Sequence, residues 1–279
     1  PLDIQFVFTA NPEDYTNRGS IVTPLKDRIG SQILTHYPKS IEHSKQITQD
    51  QAKLNEQQRS IEVPEILKTL VEQIAIEART SEFVDPKSGV SARLTISAYE
   101  SLISAAELRF LKNKLPYSFA RMGDLYGAIP AINGKIELVY EGEQEGPAVI
   151  AQNLISIAIR NLFIQLFPDP SKLKRKKESS EYSAITNWFS QNNILDLLDD
   201  ENDRVYTSAL SVVDGLEELV EKNHPKAKGV EKNVLMEFAL HGMAEHSLLS
   251  KNKLVKGVSF KDLFGSLLNQ DLNFGQKEN

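Results

Sequence analysis

Two neighbouring stretches of the chain repeat apolar residues at the spacing of an amphipathic α-helix. The first is VPEILKTLVEQIAIEARTSEF, with Pro64 in its first turn, and the second is SARLTISAYESLISAAELRFLKN, with Ser91 as a candidate N-cap. In both, apolar residues recur three and four positions apart and line one face of a helix. The linker VDPKSGV is short, so the pair is predicted to form a helical hairpin. The sequence indicates a mainly α fold.

The first forty residues follow a different pattern. The run DIQFVFTA, from 3 to 10, is apolar and contains β-branched and aromatic residues, and Asn11 and Pro12 end it. This pattern is typical of a buried strand. The run QILTHYP, from 32 to 38, predicts a second strand. Because two strands cannot close a core, residues 1–39 are predicted to be a two-strand remnant, the C-terminal part of an α/β core.

Helical patterns dominate the rest of the chain. Residues 40–167 are predicted to form a helical region with a short β-like segment near 130–141 and a closing helix that begins at Pro147. The stretch PDPSKLKRKKESSE combines prolines, a basic run and serines, which predicts a linker over 168–181. Residues 182–279, including a last short helix in VSFKDLFGSLLNQDL, are predicted to form a helical bundle.

The composition excludes several classes of function. The 279 residues carry 32 basic and 38 acidic side chains, a net charge of −6, whereas nucleic-acid-binding proteins present a basic face to the phosphates. The chain has no cysteine, so it has neither disulfides nor thiolate metal sites. No uninterrupted apolar run reaches the roughly 20 residues of a transmembrane helix. We expect a cytoplasmic protein that binds neither nucleic acid nor membrane.

The sequence lacks the motifs of a complete catalytic site. The nearest approach to a phosphate-binding loop, GAIPAINGKI, has the wrong spacing between its glycines and has Ile136 where a hydroxyl residue is required. No apolar run ends in the adjacent acids that would hold magnesium. His241 and His246 lie five positions apart, whereas a zinc pair on a helix requires a spacing of four. We expect surface histidines and no metal site.

The stretches TANPEDY and LKDRIG occur in an order that resembles the second half of an AAA+ ATPase core of the magnesium-chelatase and MoxR type. In that family a buried strand ends in a polar sensor-1 residue, and Asn11 stands at the matching position. The resemblance implies that Asn11 orients the water that attacks the γ-phosphate of ATP. It also implies that Arg28 is an arginine finger, which reaches the nucleotide of a neighbouring subunit and stabilises charge on the transferred phosphoryl group.

The segment SGVSARLTISAYESL resembles the lid of the same ATPases, where a sensor-2 arginine begins a helix after a Gly-rich turn. Arg93 stands at that position, and the resemblance implies that it contacts the γ-phosphate bound to its own subunit. The resemblance extends over residues 1 to about 167. Each arginine also has a simpler interpretation, a surface ion pair with a nearby acid such as Asp27 for Arg28, which would contribute little.

The family's phosphate-binding loop, magnesium-holding acids and most of its parallel sheet are not in this chain, so the chain alone is predicted to be inactive. The resemblance implies the C-terminal portion of a remodelling ATPase that uses ATP and Mg²⁺ in the intact protein. It also implies a homo-oligomeric ring, with a hexamer expected, that acts on an unidentified protein client. One alternative is a non-catalytic helical adaptor, which would have no exposed apolar strand at residues 3–10. A third possible function, insertion of a metal into a tetrapyrrole, rests on family analogy alone.

Overall fold

The computed structural model describes residues 3–9, 24, 27–114, 118–173 and 181–263, which are mainly helical with one small sheet. The prediction of a mainly α fold is confirmed. A 3₁₀ turn, Tyr126–Ala128, joins the short helices Met122–Leu125 and Ile129–Asn133. The strands are β1 (Leu195–Leu198), β2 (Ser250–Leu254) and β3 (Gly257–Lys261). The α-helices, in chain order, are α1 (Ile41–Gln51), α2 (Glu56–Arg59), α3 (Glu65–Thr80), α4 (Arg93–Asn113), α5 (Met122–Leu125), α6 (Ile129–Asn133), α7 (Tyr140–Glu145), α8 (Pro147–Leu166), α9 (Pro170–Leu173), α10 (Ser183–Ser190), α11 (Asp203–Ser211), α12 (Leu216–Asn223) and α13 (Gly229–Glu245).

Helices α3 and α4 form the predicted hairpin and supply much of the core. Leu67, Leu70 and Ile74 of α3 are fully buried, and so are Leu94 and Leu102 of α4. Burying one such aliphatic side chain contributes roughly 1.5–3 kcal/mol to folding. Helix α1 packs across both helices of the hairpin. The apolar spacing in the sequence therefore identifies the buried face of each helix correctly.

Helix α8 lies at the centre of the fold. It packs against both α3 and α13, and its residue Phe163 is fully buried. A Cβ atom added to Gly242 of α13 would come within 2.1 Å of the Phe163 ring, so the two helices approach this closely because glycine has no side chain. Among the described residues, α8 is the one helix long and apolar enough to cross a membrane. Its packing against α3 and α13 is that of a core helix.

The C-terminal region contains a three-stranded antiparallel sheet that the sequence did not predict. Strand β3 lies between β1 and β2, with Phe260 opposite Leu195 and Gly257 opposite Leu254. A last short helix was predicted in VSFKDLFGSLLNQDL, and this prediction was wrong for residues 258–261, which belong to β3. Residues 264–279 lie outside the described part. Val258 and Phe260 are buried in β3, and valine and phenylalanine fit the pleated surface of a sheet. The packing of these two side chains favours a strand over the helix that the spacing of VSFKDL predicted.

The two N-terminal segments predicted as strands do not form strands in the described residues. Residues 3–9 and 32–38 make no strand pairing, and their apolar side chains are exposed, with Phe6 at 72%, Phe8 at 69% and Ile33 at 90%. The prediction of two strands was wrong for this chain. A strand needs a neighbouring backbone to pair its amide and carbonyl groups, and none of the described residues supplies one.

The β-like segment predicted near 130–141 is reduced to a single antiparallel bridge between Leu138 and Val84. Helices α6 and α7 occupy half of the predicted range. Beside the bridge, the amide of Val139 donates to the carbonyl oxygen of Phe83 at 3.1 Å. These contacts hold the loop between α3 and α4 against the body of the protein.

Helices on both sides of the predicted linker at 168–181 share one hydrophobic core. The Phe163 ring of α8 lies 6.3 Å from the Phe238 ring of α13 and 5.8 Å from the ring of Tyr182, between ring centroids. Residues 174–180, which contain most of the basic run, are outside the described part. The cores of the two predicted helical regions are therefore packed against each other.

We expect Gly257→Ala to destabilise the protein by about 1–3 kcal/mol, the usual cost of overpacking. Gly257 has a φ of +131°, and an added Cβ would lie 2.2 Å from the carbonyl oxygen of Leu197. Urea denaturation measures the change. Gly134→Ala is the control, because Gly134 has an ordinary φ of −77° and its nearest contact to an added Cβ is 3.4 Å. Equal stability of the two variants would contradict the prediction.

Candidate functional site

A pocket of about 210 Å³ lies where the small sheet meets helices α8 and α13. The segment from α5 to the 3₁₀ turn closes one side of it. The apolar part of its wall comes mainly from the hairpin between β2 and β3. The lining residues are Gly123, Tyr126, Gln152, Ser156, Asp199, His241, Lys251, Lys253, Leu254, Val255, Gly257 and Val258.

His241 is fully buried at this pocket, so the prediction of a surface histidine was wrong at this position. Its ring packs edge-on against Phe260, with 5.1 Å between centroids. Neither ring nitrogen has a hydrogen-bond partner within the described residues, and Nε2 lies 3.9 Å from Oε1 of Glu237. Burial lowers the pKa of His241, so the imidazole is neutral at pH 7 and offers one donor and one acceptor.

Glu237 lies one helical turn before His241 and is also buried. Its Oε2 accepts hydrogen bonds from the hydroxyl of Tyr206 at 2.7 Å and from the amide of Met122 at 3.1 Å. Burial alone would raise the pKa of Glu237, but its interactions with His241, Tyr206 and Met122 outweigh burial and lower that pKa. The carboxylate is therefore ionised and ties α13 to α11 and α5.

Asp199 follows β1 directly and is exposed at the pocket wall. A Cβ atom added to Gly123 would come within 2.9 Å of Oδ1 of Asp199, so the carboxyl group lies against the backbone of α5. Burial raises the pKa of Asp199, and the nearby carboxylates of Asp124 and Glu237 raise it further. No cationic side chain within the described range pairs with it.

Two lysines of β2 lie at the same pocket and differ in their partners. Nζ of Lys251 is 2.5 Å from Oε1 of Glu245, so its charge is already balanced. Nζ of Lys253 lies 5.8 Å from the centroid of the Tyr126 ring, and none of the described carboxylates is within ion-pair distance of it. Burial raises the pKa of Tyr126, which keeps its hydroxyl protonated.

Two ion pairs lie beneath the pocket. Arg109 of α4 bonds Asp124 of α5, and its other terminal nitrogen donates to the carbonyl oxygen of Phe119 at 2.6 Å. Arg121 bonds Asp203 at the start of α11. The pairs connect three segments that are distant in sequence, so they fix where α5 lies and therefore where Gly123 meets the pocket.

The site residues implied by the family resemblance do not line this pocket. Asn11 lies outside the described residues. Arg28 is exposed in a turn, and Arg93 is exposed as the first residue of α4. Neither arginine forms an ion pair with any of the described acids, so the simpler interpretation of Arg28 paired with Asp27 does not hold here.

The segment that follows Arg28 is attached to the loop that precedes Arg93. The amide of Val90 donates a hydrogen bond to the hydroxyl oxygen of Tyr37 at 3.1 Å. The guanidinium carbon of Arg79 lies 3.9 Å from the centroid of the Tyr37 ring, within the range of a cation–π contact. Tyr37 therefore connects the N-terminal segment to α3 and to the loop that precedes α4.

Sequence reasoning did not find the pocket, although one signal was present. His241 stands within LMEFALHGMA, which is apolar on all sides of a helix, and such a helix is buried. The described residues contain no group of three or more potential metal ligands. Comparisons of the chain with known protein families, with curated proteins and with solved structures found no match.

Proposed function

We propose that this chain is the C-terminal portion of an AAA+ ATPase of the magnesium-chelatase and MoxR type. In this proposal Asn11 is the sensor-1 residue, Arg28 is the arginine finger that acts on a neighbouring subunit, and Arg93 is the sensor-2 residue. ATP with Mg²⁺ supplies the free energy of hydrolysis in the intact protein. The intact protein assembles as a homo-oligomeric ring, a hexamer, in the cytoplasm and remodels a protein client.

The observation that carries this proposal is the exposure of both N-terminal apolar segments. Phe6, Val7 and Phe8 are exposed, and so are Ile33 and Leu34. Soluble proteins rarely leave such clusters uncovered, and an unpaired apolar strand is an aggregation hazard. Segments that belong to the parallel sheet of an ATPase core would be covered by the rest of that sheet. A self-sufficient helical adaptor would have no reason to retain them.

The arginines also fit a role in phosphate binding. Arg93 begins α4, a helix from Arg93 to Asn113, and the amino end of a helix attracts anions through the helix dipole. Arg28 is exposed and has no carboxylate partner among the described residues, as a residue that reaches another subunit requires. The magnesium ligands of the intact enzyme would come from residues outside this chain.

The attachment of the Arg28 segment to the helical hairpin supports a mechanical role as well. Tyr37 joins the segment to Val90 and Arg79. A rotation of the lid on hydrolysis would therefore also move the segment that carries Arg28. In a ring, this links the nucleotide state of one subunit to the finger that the same subunit presents to its neighbour.

The test of this proposal is nucleotide binding by the intact protein, with wild type compared to Arg93→Ala. We expect binding of a fluorescent ATP analogue by wild type and a loss of affinity of about tenfold or more in Arg93→Ala, since a hydrogen bond to a charged group is removed. Arg59→Ala is the matched control, because Arg59 is also an exposed helical arginine.

Two outcomes would overturn the proposal. One is an intact protein that does not bind ATP, which would favour the adaptor. The other is equal affinity of wild type, Arg93→Ala and Arg59→Ala, which would remove Arg93 from the nucleotide site.

A further inference from the structure

We propose that the pocket between α8, α13 and the small sheet binds a small neutral molecule, in which a short aliphatic chain carries a hydroxyl or carboxamide group. In this proposal Nδ1 of His241 accepts a hydrogen bond from that group, and Gln152 or Ser156 donates one to it. The inference goes beyond the proposed ATPase function and does not depend on it, because neither Arg28 nor Arg93 lines the pocket.

The first argument is the unused hydrogen-bonding capacity of His241. The ring is fully buried at the pocket, and neither of its nitrogens has a hydrogen-bond partner among the described residues. Nε2 lies 3.9 Å from Oε1 of Glu237, which is too far for a direct hydrogen bond. Because the carboxylate favours the proton on Nε2, Nδ1 is left as an acceptor without a donor. Buried polar groups are almost always hydrogen-bonded, so a ligand that donates to Nδ1 completes the site.

The second argument is that α8 presents two further polar side chains to the pocket. Gln152 and Ser156 line it, and because they are four positions apart they lie on one face of the helix. Neither side chain forms a hydrogen bond with another described residue. Both can donate, so a ligand group that donates to His241 can also accept from α8. Hydroxyl and carboxamide groups do both, whereas an ammonium group only donates and a carboxylate only accepts.

The third argument is the charge of the lining residues, which favours a neutral ligand. Lys251 is engaged by Glu245, and Nζ of Lys253 already lies 5.8 Å from the centroid of the Tyr126 ring. Lys253 and Asp199 have opposite charges and both are exposed to solvent. None of these charges requires a charged ligand as its partner. A charged ligand would lose its hydration without gaining a counter-ion, which costs free energy.

The fourth argument is the size of the pocket and its apolar wall. Its volume is about 210 Å³, many times the roughly 10–15 Å³ that one water needs and more than the roughly 150 Å³ of an apolar cavity that binds benzene. Leu254 and Val258 supply apolar surface beside the polar groups. A short aliphatic chain can therefore lie against these two residues while its polar group reaches His241.

The experiment measures the binding of five probes to the full chain by ¹H–¹⁵N NMR, which includes the ring nitrogens of His241. The probes are n-butanol, butyramide, methyl propyl ether, n-butylamine and butyrate. We expect n-butanol and butyramide to shift resonances around the pocket and to move the Nδ1 resonance of His241. These two probes distinguish a hydroxyl from a carboxamide as the preferred group, and binding of either supports the proposal. We expect n-butylamine and butyrate to bind about tenfold more weakly or less.

Methyl propyl ether is the matched probe for the hydrogen bond to Nδ1. It is an isomer of n-butanol that has an acceptor but no donor, so we expect it to bind about tenfold more weakly than n-butanol. Equal affinity of the ether and n-butanol would overturn the proposal. So would a charged probe that binds as tightly as n-butanol, or the absence of binding by both n-butanol and butyramide. None of these comparisons needs a variant.

Ser156→Leu tests whether the neutral probes bind in this pocket. The larger side chain fills part of the pocket and removes a donor, so we expect n-butanol affinity to fall about tenfold or more. Ser97→Leu is the matched control, because Ser97 is also a half-buried serine within a long helix but does not line the pocket. Wild-type affinity in Ser156→Leu would place the binding elsewhere and overturn the proposal.

Discussion

Replacing Arg28 by alanine is expected to lower ATP hydrolysis by the intact protein about 10³- to 10⁵-fold, the range for arginine fingers in related phosphoryl transfer. The expectation follows from the proposed role of Arg28 as a finger that stabilises developing charge on the phosphoryl group of a neighbouring subunit. Single-turnover hydrolysis is the measurement, because it isolates the chemical step from product release. Arg59→Ala, which also removes an exposed arginine, should leave the rate unchanged.

A mixing experiment distinguishes action in trans from a defect in folding. Subunits with Arg28→Ala are mixed with subunits whose phosphate-binding loop is inactivated and whose Arg28 is intact. If the finger acts across the interface, an inactivated subunit supplies Arg28 to a competent neighbour and activity returns in part. If the mixtures are no more active than Arg28→Ala alone, Arg28 does not act on a neighbouring subunit. A fully active Arg28→Ala protein would remove Arg28 from catalysis.

Arg109→Met is expected to destabilise the protein by about 3–5 kcal/mol, the usual effect of removing one partner of a buried ion pair. The side chains of Arg109 and Asp124 are 4% and 6% exposed, so the remaining carboxylate would be left without a counter-ion. The carbonyl oxygen of Phe119 would also lose its donor. Urea denaturation measures the change, and Lys256→Met, which breaks the exposed pair with Asp200, should change stability by less than about 1 kcal/mol.

The pH dependence provides an independent check on Arg109→Met. Burial raises the pKa of Asp124 in the folded protein, and Arg109 acts against this rise. Without Arg109 the folded-state pKa rises further above the unfolded value. The variant is therefore least destabilised when Asp124 is protonated, and its deficit grows as the pH rises through the folded-state pKa. A deficit that does not change with pH would show that lost packing, rather than the charge, dominates.

A double variant also distinguishes the effect of the unpaired charge from the effect of lost packing in Arg109→Met. Arg109→Met combined with Asp124→Asn removes both charges, and the amide oxygen can still accept from the amide of Arg121, as the carboxylate does at 2.8 Å. We expect the double variant to be more stable than Arg109→Met alone. The reverse order of stability would contradict the buried-charge explanation.

Local pattern was sufficient to predict the long helices but not the strands. Apolar spacing placed α3, α4 and α8 correctly, because a helix satisfies its backbone within one segment and its buried face repeats every 3.6 residues. The strands β1, β2 and β3 need partners from distant parts of the chain. For the same reason the apolar runs at 3–9 and 32–38 have strand-like composition without forming strands in the described residues.

The sequence by itself determined the mainly α class. The order of its motifs also gave Asn11, Arg28 and Arg93 as the candidate residues of a nucleotide site. Only the tertiary structure decided the pocket, because Asp199 and His241 come from separate elements that packing brings together. Their unpaired state is equally a property of the folded protein. The buried ring of His241 has lost its contact with water and therefore needs a polar partner. No single segment of the sequence shows that this ring is buried.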